Sequence, residues 1–421
     1  MTAGRPADRG LLIRGARVVT VSDAGVLPRA DVLCSGGVIE RVAASIEPPP
    51  ECDVVDAAGR VLVPGFVDCH THACWVGDRL DEWEQKRAGA GYLDILRAGG
   101  GIMSTVRAVR TATEAELADV LTETLSWMLG EGTTTVEVKS GYGLDTDAEM
   151  KMLRAIDRAG ADVGRRWGMT VVPTACIGHA LDPETDRDAF VERTVTETLD
   201  AVHAAFPGIA IDAYCEEGAW SLDECARLFD RAAELGHPCR VHADQFHALG
   251  MVEHAVSRGF RSVDHLEATG PETLRALGAS QTTGVVLPCS GFHLDGRYAD
   301  ARAVLDAGGR VAIGSNANPG SAPAVSMPMA MALATRHCGL TPRETVEAST
   351  RSGAVVLELD DRGRIEPSLR ADLVLLRHRD ERELAHTFGG RHALAVVCAG
   401  RLVRPDHDNL PVGSDRPADR G

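Results

Sequence analysis

Two histidines, His70 and His72, stand two residues apart at the end of the apolar run Val63-Pro64-Gly65-Phe66-Val67-Asp68-Cys69. Alternate side chains of a strand share one face, so both imidazoles can address a single metal ion. Taken alone, a pair at this spacing is more often structural, because histidine serves many purposes. Here His179, His242 and His265 stand at the ends of later runs of the same kind. Several imidazoles converging on one place need a common partner, since burying them unsatisfied is costly. Metal-assisted chemistry is therefore the first candidate.

Positioning those residues requires a scaffold, and the chain alternates as parallel β/α units do. Eight β-like runs fall near 66–72, 133–139, 169–176, 209–215, 238–243, 262–266, 283–288 and 310–315. Segments of helical period lie between most of them, such as Glu114 to Leu129, Asp147 to Ala159, Asp188 to Ala205 and Ser221 to Leu235. This predicts an α/β fold, a (β/α)8 TIM barrel over 65–355. Short alternating runs before and after it (Arg17-Val18-Val19-Thr20, Leu373-Val374-Leu375-Leu376) predict a small β-sandwich domain built from both chain ends, 1–64 and 356–404. Residues 405–421, rich in Asp, Pro and Gly, read as a disordered tail. In such a barrel the chemistry sits at the C-terminal ends of the strands. Those ends carry His70 and His72, Lys139, His179, Glu216 and Glu217, His242, His265 and Asn316.

Composition narrows the class. A formal net charge of −17 disfavours nucleic-acid and anionic-membrane partners. The 11 cysteines form no CxxC pair and read as reduced, buried small residues, Cys289 included. No run approaches the roughly 18 apolar residues of a membrane helix, and the N-terminus does not look like a signal peptide. The expectation is a soluble cytoplasmic enzyme.

Longer motifs add a resemblance. The order of HxH, a histidine at each of the fifth and sixth runs, and a polar residue after the eighth resembles the amidohydrolase superfamily. Gly77-Asp78-Arg79, Glu137-Val138-Lys139-Ser140-Gly141-Tyr142-Gly143-Leu144, Cys215-Glu216-Glu217-Gly218, His242-Ala243-Asp244, Asp264-His265-Leu266 and Asn318-Pro319-Gly320-Ser321 are similar to the imidazolonepropionase family within it. That resemblance implies hydrolysis of a five-membered imidazolone ring carrying a propionate arm, with one divalent ion, zinc or iron, and a homodimer. It implies His70, His72 and His242 as metal ligands, with Asn316 at the fourth ligand position. Arg79, Tyr92, Tyr142 and His179 would hold a small carboxylate-bearing cyclic substrate, and His265 would orient or polarise water and ring. Arginine suits the propionate, since its guanidinium meets a carboxylate with two parallel hydrogen bonds.

Two positions depart from the family pattern. Gln245 follows His242-Ala243-Asp244 where the family has glutamate, and Asn316 stands where it has an aspartate ligand. Both belong to the catalytic set, yet neither amide takes up a proton near neutral pH, and a neutral ligand weakens a cation site. Three readings follow: an imidazolonepropionase with Asp244, His265 or a water chain handling protons; a paralogue acting on a hydantoin- or thiohydantoin-type ring or catalysing a cyclisation or dehydration; or a ligand-binding homologue without activity. His293, in the loop after the seventh run, is a further candidate to contact ligand or extend the metal shell.

Overall fold

A computed structural model of the chain describes residues 9–89 and 100–403. Tyr92 and the tail from 405 lie outside the described residues. Five strands precede the barrel: β1 (Leu11–Val19), β2 (Val26–Ser35), β3 (Val38–Ala43), β4 (Asp53–Asp56) and β5 (Val61–Pro64). The barrel strands are β6 (Phe66–Asp68), β7 (Thr133–Lys139), β8 (Thr170–Gly178), β9 (Ala210–Cys215), β10 (Arg240–Ala243), β11 (Ser262–His265), β12 (Thr283–Val286) and β13 (Val311–Ile313). Three more follow: β14 (Leu373–Leu376), β15 (Ala393–Cys398) and β16 (Arg401–Val403).

The terminal strands form one eight-stranded sheet in the order β16-β15-β14-β5-β1-β2-β3, with β4 on β1. The two chain ends meet where β14 pairs antiparallel with β5, Val374 opposite Val63. Since β5 runs into β6 through Gly65 alone, that sheet anchors the start of the first barrel strand. A Cβ at Gly65 would stand 2.2 Å from Thr134 Oγ1, so only glycine lets the two strands approach this closely.

The eight parallel strands β6 to β13 run in sequence order around a near-closed barrel. Helices cover its outside, and their ends follow local rules. Thr113 and Glu116 form a capping box at the start of Glu114–Gly130, and Ser221 and Glu224 do the same for Leu222–Glu234. Lys151 donates to the carbonyls of Val109, Arg110 and Ala112, closing the C-terminus of the helix Ile102–Thr111. The helical segment expected over 188–205 is interrupted by a π-turn at Thr194–Thr198.

The first barrel strand is shorter than expected. It ends at Asp68, so His70 and His72 lie beyond it, not within it. Among the described residues β6 and β13 share no ladder, and the seam is closed past the strand ends: Asn316 N donates to His70 O (3.0 Å) and His72 N to Ala317 O (3.0 Å). Without a strand neighbour on that side, the chain leaves β geometry at the point where it delivers the two histidines.

Strand parity decides what enters the barrel. In β7, Val136 and Val138 alternate with Glu137 and Lys139; in β9, Ile211 and Ala213 alternate with Asp212 and Tyr214; in β10, Val241 alternates with Arg240 and His242. The charged partners of these pairs meet one another inside. Lys139 Nζ lies 2.6 Å from Glu137 Oε1 and 2.7 Å from Asp212 Oδ2, while Arg240 reaches Glu137 (3.1 Å) and Asp264 (2.7 Å). All five side chains are buried. Burying charge costs several kcal/mol per ion unless it is closely paired, and each of these ions has such a partner. Three carboxylates face two cations, which leaves the lumen with an excess of negative charge beneath the histidines.

Candidate functional site

Above the ion network, His70, His72 and His242 present ring nitrogens that lie within 4.8 Å of one another, all three side chains buried. Carboxylates below fix two of the rings. His70 Nδ1 is 2.5 Å from Asp264 Oδ2, and His242 Nδ1 is 3.0 Å from Asp212 Oδ1. A carboxylate on Nδ1 holds the proton there and leaves the Nε2 lone pair directed away, the usual support for a metal-bound histidine. His72 Nε2 stands 3.0 Å from His242 Nε2, and His70 Nε2 is buried with no hydrogen-bond partner. Burial is the main force holding the pKa of all three below the ordinary imidazole value, and the neighbouring cationic and imidazole groups add to it at each ring. At His242 the carboxylate of Asp212 works against that lowering. Burial opposes ionisation of Asp212, but His242 and Lys139 outweigh it and keep its carboxyl well below the usual range. Neutral rings, unpartnered lone pairs and excess negative charge beneath them fit a divalent cation.

Gly314 makes room for this arrangement. A Cβ there would fall 2.7 Å from His70 Cβ and 2.9 Å from Leu287 Cδ2, so a side chain would push His70 out of place. Asn316 sits on the same rim. Its backbone is joined to His70, its Nδ2 donates to Ser290 Oγ (2.7 Å), and its buried Oδ1 has no hydrogen-bond partner. An unpartnered carbonyl oxygen suits a ligand position, although it brings no charge.

The other expected residues gather around this group to different degrees. His179 stacks on His72 with ring centroids 4.5 Å apart and donates its Nδ1–H to Gly141 O (2.9 Å). Burial lowers its pKa to about 4, so it is neutral at physiological pH. Tyr142 is buried with its ring 5.4 Å from His179 and 6.0 Å from His72, and burial raises its pKa. His265 ends β11 with its ring 5.6 Å from His242 and 6.1 Å from His70, outside the three-histidine group. Gln245 Oε1 accepts from the hydroxyl of Tyr214 (2.8 Å).

Arg79 is not the open fork that the sequence suggests. Its Nε and Nη2 donate to Glu82 Oε2 at 2.8 and 2.6 Å, and Glu82 Oε1 accepts from Gly101 N and Ser104 Oγ. The Nη1 edge faces Gly320, where a Cβ would be only 2.4 Å away. Arg79 is thus held in place by Glu82, with one edge turned toward the loop after β13. Cys289 is a packed residue whose thiol pKa burial raises to about 12, which makes thiolate chemistry unavailable near neutral pH. His293 ends the helix Pro288–His293 and does not belong to the group that could hold an ion.

Asp212, Asp264, Arg240, Tyr214 and Glu267 were missed by the sequence reading. For three of them a signal existed: Asp212-x-Tyr214 and Arg240-x-His242 place polar residues two apart in apolar runs, a parity that points both inward. Tyr214 shows the effect, since its ring lies 5.9 Å from His242 and 6.4 Å from His179.

Similarity to known proteins agrees with this geometry. The imidazolonepropionase of Deinococcus radiodurans is 42% identical over 384 residues, covering 91% of this chain and 94% of that protein. That of Rubrobacter xylanophilus is 43% identical over 386 residues, covering 91% and 92%. Among solved structures, 5-methylcytosine deaminase from Klebsiella pneumoniae superposes with a TM-score of 0.72 at 17% identity, covering 95% of this chain and 98% of the other. An adenosine deaminase from Xanthomonas campestris with bound zinc gives 0.66 at 21%, covering 93% and 92%. These two establish the fold alone. Residues 61–403 match the amidohydrolase family, and with relatives of this identity over nine-tenths of its length the chain belongs to that family, in its imidazolonepropionase branch.

Proposed function

We propose that the chain hydrolyses a C–N bond in a five-membered imidazolone ring bearing a propionate arm, giving N-formimidoyl-glutamate. The observation that carries the reading is the buried His70–His72–His242 group, backed by Asp264 and Asp212, in a chain about 40% identical to imidazolonepropionases. His70, His72 and His242 would hold one zinc or iron ion, with Asn316 Oδ1 as the fourth protein ligand. Such an ion supplies Lewis acidity toward water and the ring carbonyl.

The remaining work falls to the chain. Arg79, braced by Glu82, would receive the propionate on its Nη1 edge, and Tyr142 and His179 would flank the ring, with Tyr92 as a further contact. In the hydrolysis the water oxygen bonds to the carbonyl carbon, the C–N bond breaks, and the departing ring nitrogen takes a proton. Gln245 and Asn316 cannot carry that proton, because an amide has no accessible protonation step near neutral pH. Gln245, held by Tyr214, and Asn316, held by Ser290, instead act as oriented hydrogen-bonding groups at the ring. Of the groups that can take up a proton there, His265, whose ring lies 5.6 Å from that of His242, is the one assigned to handle it. The family resemblance also supports a homodimer in the cytoplasm.

Metal content of the purified protein, measured beside turnover of freshly generated imidazolonepropionate, tests the reading. Bound metal with loss of the ring and formation of N-formimidoyl-glutamate is expected. Bound metal without ring loss would sink this substrate and favour a hydantoin- or thiohydantoin-type ring, a reading that the amides at Gln245 and Asn316 also support. Tight ligand binding with neither metal nor turnover would make the chain a binding protein.

A further inference from the structure

His265 leaves β11 in an uncommon conformation. Its φ is 90°, and that of Leu266 is 75°, two consecutive non-glycine residues in the left-handed half of backbone space. Such a conformation is unfavourable for a residue with a Cβ and persists only where the surroundings enforce it. Leu266 N donates to Ala243 O (3.2 Å) and Ala268 N to Asp244 O (2.7 Å), tying this turn to the end of the neighbouring strand β10. The turn brings the Glu267 carboxylate back onto the ring two residues before it. Oε1 lies 3.1 Å and Oε2 3.2 Å from His265 Nδ1. Both side chains are buried, 3% and 5% exposed, and His265 is the ion-pair partner that Glu267 has among the described residues.

A carboxylate on Nδ1 settles which ring nitrogen carries the proton. Nδ1–H points at Glu267, and the Nε2 lone pair is left as the acceptor, the same division of labour that an acidic residue imposes in a nucleophile–histidine–acid triad. His265 lies over the three-histidine group but outside it, with the Tyr214 ring 6.5 Å away. The other acid close by, Asp244, accepts at Oδ2 from Thr269 Oγ1 (2.9 Å), leaves its buried Oδ1 without a hydrogen-bond partner and, among the described residues, braces no ring nitrogen of the site.

We propose that Glu267 is a positioning residue for His265, fixing the Nδ1–H tautomer so that Nε2 takes a proton from the attacking water. This takes over the role that Gln245 and Asn316 cannot fill, and it rests on the hydrolytic reading above. The water O–H proton passes to Nε2 as oxygen bonds to the ring carbonyl carbon. The same proton then passes to the ring nitrogen as the C–N bond breaks, so one water is consumed and His265 returns to its starting state.

The test compares Glu267→Ala and Glu267→Gln with the unmodified protein, using 15N-histidine NMR and steady-state kinetics on imidazolonepropionate. The His265 resonances are assigned by their loss in His265→Gln. Nδ1–H is expected in the unmodified protein and in Glu267→Gln, whose amide oxygen can still accept, whereas Glu267→Ala should move to the Nε2–H form. With metal content unchanged, kcat should fall about 100-fold or more in Glu267→Ala, within the range for losing an oriented base, and by less in Glu267→Gln, while KM stays within about threefold. An unchanged tautomer in Glu267→Ala overturns the proposal, as does an unchanged kcat in an active enzyme. The tautomer is read without turnover, so an unmodified protein that fails to open the ring refutes the proposed function while the NMR result still decides the role of Glu267. If Glu267→Ala does not fold, Glu267→Met, which likewise cannot accept from Nδ1–H, takes its place in both measurements, and an unchanged tautomer or an unchanged kcat in that variant overturns the proposal.

Discussion

The lower and upper halves of the site are built differently. Below, His70 and His242 rest on Asp264 and Asp212, which are locked to Arg240 and Lys139 by ion pairs of 2.7 Å inside the barrel. Above, the rim consists of two amides, a strained histidine and an arginine held by its own helix: Gln245, Asn316, His265 and Arg79. Lumen residues come from strands in register and their partners are dictated by parity, so each ion is paired from two sides. Rim residues come from loops and, for His265, the last position of a strand, where a group can change chemistry without disturbing the ladder beneath. The contrast explains how a chain can keep its three-histidine group and yet carry amides where the family pattern has acids.

Breaking the lower half should have the largest effect. Asp212→Asn leaves Lys139 short of a counterion and weakens the hold on His242, so metal affinity should drop about 10–100-fold and stability by about 3–5 kcal/mol, measured by competitive chelation and denaturant unfolding. In the upper half, the arginine should respond in binding alone. Arg79→Lys loses the planar fork, and KM for the propionate-bearing substrate should rise about tenfold with kcat nearly unchanged. Between the halves, Gly314→Ala inserts a methyl against His70 and should cost about 1–3 kcal/mol, visible as a lower melting temperature even in protein stripped of metal.

The smallest effect concerns pH. The pKa values of His70, His72 and His242 are lowered chiefly by burial, so protons compete for the ligand nitrogens only at a pH below the ordinary imidazole range near 6.5. Metal should therefore be retained on dialysis through about pH 6 and be lost only on further acidification. Release centred at pH 6.5 or above would mean that the rings are more open to water than their burial implies.

Much of this was legible in the sequence because hydrophobic alternation marks buried strands. Seven of the eight barrel runs coincide with strands to within two residues at each end, and β7 spans Thr133–Lys139 as expected. The exception, β6, stops at Asp68 because its continuation has only loop partners across the seam. The histidines were legible since their spacing and position are local. Their supports were not. Asp212 and Asp264 lie 30 and 194 residues from the rings they hold, and nothing local pairs them. Glu267 is only two residues from His265, yet it reaches that ring through a left-handed turn that no residue type announces. The partner that closes the Arg79 fork, Glu82, is one of several acids in that segment and is not set apart by its residue type.

The seam between β13 and β6 has a thermodynamic consequence. The barrel completes its circle through Asn316 N to His70 O and His72 N to Ala317 O, bonds made by residues of the site itself. Opening the circle and releasing a ligand from the histidines are then one local unfolding event described from two sides. Whatever binds the closed form shifts that equilibrium by RT ln(1 + [L]/Kd), so occupancy of the site sets how often the barrel breathes at this joint. The amide protons of His72 and Asn316 should exchange with solvent at a rate that tracks metal concentration, while those of β7 and β8 exchange independently of it.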